Sequence, residues 1–106
     1  MSKHNLNGLN TGTVGAIAEL VISAELMRNG YEVYRALSSH CRCDILAVKN
    51  GVVNEIEIRS GLYYNRKDGG ITLHYPTRRS EGKKMIIYTH SDNKIHYINP
   101  LDDGTA

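Results

Sequence analysis

The sequence predicts a small α+β domain. Three features carry that reading: an early helical stretch, roughly six strand-like runs after it, and one strong hairpin turn between two of those runs. At 106 residues the chain has room for one core. Hydrophobic residues make up 41% of it, enough to close that core. Seven tyrosines supply all the aromatic bulk, since phenylalanine and tryptophan are missing. The formal net charge of +2 is compatible with a polyanionic partner without demanding one. No run of about 18 apolar residues occurs, and the N-terminus, MSKHNLNGLN, is polar. No membrane association or signal peptide is expected, and the expected compartment is the cytoplasm.

Residues 1–12, rich in Asn and Gly, read as a flexible arm. Residues 13–100 make the domain, and 101–106 a polar tail. In TVGAIAELVISAELMRNG, Thr13 reads as the N-cap and Gly30 as the residue that ends the helix. Ile17, Leu20, Val21, Ala24 and Met27 project onto one apolar face; Ile22 and Leu26 lie nearly opposite, which predicts a helix covered on both sides. Glu19 falls on the Ile22/Leu26 side. Strands are expected at 31–37, 44–50, 52–60, 71–76, 85–90 and 95–100. GLYYNRKDGG (61–70) and TRRSEGKK (77–84) read as loops, and SDNK (91–94) as the turn of a last hairpin. This order suggests a largely antiparallel, twisted sheet.

NEIEIRSG (54–61) holds the most chemistry. Ile56 and Ile58 alternate with Glu55, Glu57 and Arg59, so the two sets point to opposite faces of a strand. Asn50-Gly51 supplies the preceding turn, because a two-residue type I′ loop needs positive φ at both positions. Pairing outward from that turn puts Asp44 opposite Glu57 and Arg42 opposite Arg59. Like charges directly opposite are destabilising. Two remedies are open at this point: a divalent cation held by both carboxylates, or ion pairs with Arg42 or Arg59.

The rest of the chain is less specific. Cys41 and Cys43 in HCRC lack further ligands at zinc spacing and read as reduced thiols. From Arg59 to Lys84 bases outnumber acids, and Arg66, Lys67, Arg78, Arg79, Lys83 and Lys84 are the expected contacts to phosphate. Tyr63, Tyr64 and Tyr75 lie among them, able to bond phosphates or stack on unpaired bases. His74, His90 and His96 read as structural, and Ser60 as lacking an adjacent base.

The ordered set Glu19, Asp44 and Glu57-Ile58-Arg59 resembles the PD-(D/E)xK nucleases. The nearest pattern is that of Holliday-junction-resolvase-like proteins and the group I intron homing endonucleases of this type. The corresponding stretches are Gly15 to Glu19, Gly30 to Val33, Asp44-Ile45 and Ile58 to Gly61, followed by the closing hairpin IIYTHSDNKIHYINP. The resemblance spans roughly residues 12–100. It implies a restriction-endonuclease-like core, with a mixed central sheet and the N-terminal helix packed on it. It implies a DNA endonuclease that binds Mg²⁺ or Mn²⁺ through Asp44 and Glu57, with Glu19 contributing directly or through water. Cutting both strands implies a homodimer or higher homo-oligomer. The family's lysine is Arg59 here. Arginine clamps phosphate well but does not take protons. Either Arg59 acts as an electrostatic clamp, or the site is weakened or inactive and the protein binds DNA without cutting it. A third reading is a protein-interaction domain whose basic loops are plain surface.

Overall fold

A computed structural model describes residues 8–77 and 82–105. Helix α1 spans Thr11–Arg28, and the strands are β1 (Glu32–Arg35), β2 (Ile45–Lys49), β3 (Val52–Asn65), β4 (Ile71–His74), β5 (Lys84–Thr89) and β6 (Lys94–Tyr97). The sheet runs β1-β2-β3-β5-β6, with β4 paired to β3 off that path. All neighbours are antiparallel except β3 and β5, which run parallel. The sheet is therefore mixed, with one helix packed against it.

The helix starts earlier than Thr13. Asn10 is the N-cap, its side-chain oxygen accepting from the Thr13 N–H at 2.8 Å, which meets one of the helix's orphan donors. Gly30, at φ +89°, follows the C-cap Asn29 as expected. The buried face is Val14, Ala18, Ile22 and Leu26, spaced four apart. Leu20 and Met27 are more than half exposed. The expected cover on both sides is thus corrected: Ile17 and Val21 pack against the core, and Leu20 and Met27 face outward. Apolar residues ring this helix, so periodicity alone does not choose its inner side; contact with the sheet does.

The core lies between α1 and one sheet face. Ala18, Ile22 and Leu26 meet Ile45, Ala47, Ile56, Ile58, Ile86 and Tyr88. Alternation then turns Asp44, Glu55, Glu57 and Arg59 to the face away from the helix. The β2–β3 hairpin has the register expected from its turn, with Lys49 opposite Val52 and Ile45 opposite Ile56. Asn50 and Gly51 have φ of 51° and 78°.

Two expectations from the sequence give way. Residues 61–65 are strand, not loop: β3 is 14 residues long, and its end pairs with β4 as an arm. Tyr63 pairs with Leu73 and Tyr64 with Thr72 in that arm. The segment after Pro100 is tied down. Asn54, 2% exposed, accepts from the Asp102 N–H at 2.9 Å and donates to the Asp102 carbonyl at 2.7 Å. Leu101 also packs against the core. The expected arm at 1–12 lies mostly outside the described residues. No helix among the described residues is long and apolar enough to cross a membrane.

Candidate active site

Asp44 sits one residue before β2, where its backbone N–H still donates to the Ile56 carbonyl at 3.0 Å. Glu57 stands on the neighbouring strand, 7% exposed. Arg59, two residues on, brings its guanidinium to both. Its Nη1 is 3.0 Å from Asp44 Oδ2, and its Nη2 is 3.8 Å from Glu57 Oε2. Asp44 Oδ2 also accepts the Ile58 N–H at 2.7 Å, and Arg59 donates to the Ile58 carbonyl at 2.8 Å. Two carboxylates are therefore held side by side, with an arginine as their counter-charge.

The neighbouring row of the same face holds a second ion cluster. Glu55 bonds Arg42 at 3.1 Å and Lys83 at 3.3 Å. Arg42 and then Lys83 hold the Glu55 carboxyl below the usual carboxylate range. Arg42 is not opposite Arg59 as the extended register implies. The ladder ends at Ile45, and the chain before Asp44 leaves the sheet. Lys83 is 5% exposed, so in this conformation it meets Glu55 rather than solvent. Cys43 donates from its thiol to the Ile45 carbonyl at 3.3 Å, and burial pushes that thiol's pKa up. Both cysteines are free.

The remaining expected residues are spread out. Glu19 pairs with Arg35 at 3.5 Å. Among the described residues, no three His, Cys, Asp or Glu side chains gather as metal ligands. The oxygen donors Asp44 and Glu57 are nevertheless the pair that suits a hard divalent cation, which takes its other ligands from water and phosphate. Arg66 is engaged within the arm, to Thr72 Oγ1 at 2.9 Å and Asp68 at 3.2 Å, and Lys67 is exposed beside it. Lys84 donates to the Pro100 carbonyl at 3.1 Å and lies 3.5 Å from Asp102. Arg78 and Arg79 lie outside the described residues.

In fold, the chain is similar to a bacterial homing endonuclease, I-Ssp6803I. The TM-score is 0.64 at 16% identity, over 84% of this chain. The chain spans 66% of the length of the I-Ssp6803I chain. No protein-family model matches the sequence, and no curated protein does. At this identity the likeness to I-Ssp6803I concerns the path of the backbone: a mixed sheet with a helix on one face, an endonuclease-like fold.

Two polar groupings escaped the sequence reading. Ser60 Oγ lies 3.1 Å from His90 Nε2, which corrects the expectation that no base stands beside Ser60. Parallel pairing sets Ser60 against Tyr88, so residue 90 ends up just beyond it. Nothing local to either residue announces a parallel partner. Alternation puts Ser60 on the helix side, away from Arg59. On the Arg59 side, the Tyr63 hydroxyl donates to Asp92 at 2.6 Å, and Thr89 donates to the same carboxylate. His96 Nε2 is 3.0 Å from Thr89 Oγ1. Thr89 and then Tyr63 hold the Asp92 carboxyl below its ordinary range. This cluster fastens the base of the β3–β4 arm to the β5–β6 turn.

Proposed function

We propose that the chain is a DNA endonuclease of the PD-(D/E)xK type, hydrolysing phosphodiester bonds at Asp44, Glu57 and Arg59. The observation that carries this is the paired Asp44 and Glu57, bridged by Arg59 across a hairpin, on an endonuclease-like sheet. Asp44 and Glu57 would hold Mg²⁺ or Mn²⁺; Glu19, on the helix and paired with Arg35, does not gather with them among the described residues. Such an ion supplies Lewis acidity and lowers the pKa of water.

The chain's own residues do the rest. Arg59 keeps the two acids from repelling each other before substrate arrives. Its planar fork then offers donors to a phosphate, and its charge opposes that of the pentavalent transition state. The Ile58 N–H fixes Asp44 in place, which limits the reorganisation needed on binding. The exposed arm tip with Arg66 and Lys67, together with Arg78 and Arg79, would contact the DNA backbone. A homodimer or higher homo-oligomer would supply two sites for cutting two strands.

Arg59 also favours a second reading. An arginine that already bonds Asp44 and offsets the charge of Glu57 leaves less need for a cation, consistent with a protein that binds DNA without cutting it. A nicking assay on plasmid and branched DNA separates the two. Cleavage that needs Mg²⁺ and disappears in Asp44→Ala supports the enzyme. Salt-dependent binding without cleavage supports the second reading, and loss of both binding and cleavage refutes each.

A further inference from the structure

A cavity of about 510 Å³ opens between the end of β1 and the segment 36–43, with Cys43 and Glu55, near neighbours of the acid pair in the chain, in its lining. That size is within the range of small-ligand sites, roughly 300–1,000 Å³. Its wall is apolar and open to solvent. Tyr34 is 53% exposed, Leu37 is fully exposed, and Leu46 completes the surface. Apolar surface gathered in a concavity on the outside of a small domain is a mark of binding.

The rim has the opposite character. Arg35, His40 and Arg42 surround the cavity. Glu55, the acid in its lining, is already compensated by Arg42 and Lys83. Arg35 pairs with Glu19 at 3.5 Å and Arg42 with Glu55 at 3.1 Å, yet their side chains are 51% and 77% exposed, so each keeps donors that can turn toward a ligand. An apolar slot within a cationic rim fits a flat ring carried on an anionic backbone. Its position is equally specific. Cys43 of the lining precedes Asp44 in the chain, and Glu55 lies two residues from Glu57 on one face of β3, about 6.6 Å along the strand.

We propose that this cavity takes one unstacked nucleobase from the strand that passes Asp44 and Glu57. The ring stacks against Tyr34 and Leu37, while Arg35 and Arg42 meet the adjoining phosphates. This rests on DNA being the substrate, and it names the substrate class: DNA with an unpaired nucleotide beside the cut, as at a bulge, flap or junction. A continuous duplex would have to lose a stacked base to reach the slot.

The test uses the full chain, in EDTA, with a continuous duplex and the same duplex carrying one bulged fluorescent adenine analogue. The bulged duplex binds about tenfold more tightly and its fluorescence changes on binding, the scale of one base–aromatic stack. Tyr34→Ala and Leu37→Ser remove the preference and leave duplex affinity unchanged, which also shows that both variants are folded. Tyr34→Phe keeps the preference. Equal affinity for the two DNAs, or a preference that survives both substitutions, overturns the proposal while leaving the nuclease reading intact. Absence of binding to either DNA overturns both. A change of self-association in sedimentation, with the bulge preference intact, assigns the cavity to a protein contact and also overturns it.

Discussion

Replacing Arg59 with glutamine removes the guanidinium that bridges Asp44 and Glu57. Two carboxylates about 5 Å apart repel by roughly 3 kcal/mol at an effective dielectric near 20. Asp44 and Arg59 have side chains 34% and 35% exposed. Solvent screening therefore reduces the expected loss to about 1–2 kcal/mol. Urea unfolding in EDTA should show Arg59→Gln less stable than the parent by that amount, with Arg59→Lys in between. Ca²⁺, a hard cation that takes carboxylate oxygens, should then restore the glutamine variant. At 100 times its Kd a bound ion adds about 2.7 kcal/mol. The parent should respond less, because Arg59 competes for the same carboxylates. Equal stability of the two proteins in EDTA, or equal responses to Ca²⁺, would refute the view that these acids share one counter-charge.

Other predictions follow from particular contacts. A Cβ on Gly61 would lie 2.6 Å from Ile87 Cγ2 and 3.3 Å from the His74 carbonyl, so Gly61→Ala should cost about 1–3 kcal/mol by overpacking, read in urea. Asn54→Ala removes both links to Asp102 and should cost about 2–3 kcal/mol, with faster hydrogen exchange at the Asp102 amide. The depressed Glu55 carboxyl stabilises the fold fully above its unfolded pKa of about 4.3 and loses that contribution as pH falls through its lower folded value. A stability–pH curve should therefore show Glu55→Gln converging on the parent below pH about 4. Burial, and then Glu25, push the Tyr97 hydroxyl up to about 12. Its contribution is complete below tyrosine's ordinary pKa of about 10 and is lost toward 12. Tyr97→Phe should remove that alkaline loss.

What could be read from the sequence follows the range of each interaction. The Asn50-Gly51 turn sets its hairpin register over a few residues, so the juxtaposition of Asp44 and Glu57 was legible. The parallel pairing of β3 with β5 joins Ile58 to Ile86 across a long connection with no local signature. His90 beside Ser60, and Lys83 beside Glu55, both depend on it. Lys83 reads as a surface base because it sits in a basic run; its burial is decided by a strand far away in the chain. The arm is hidden in the sequence because Tyr63 and Tyr64 stand in GLYYNRKDGG, whose Gly, Asn, Lys and Asp residues signal a loop. The helix face was misread because burial, and not periodicity, chooses among apolar residues on every side.

The length of β3 has one more consequence. One unbroken strand carries Glu57 and Arg59 near its middle and the arm at its end. On the proposed function, the place where the protein grips a polymer and the place where it cuts are joined by covalent pleated backbone. Their spacing is built in steps of about 3.3 Å per residue, close to the roughly 3.4 Å rise of one base step. On that reading, the number of residues in the strand sets the distance between grip and cut independently of any side chain.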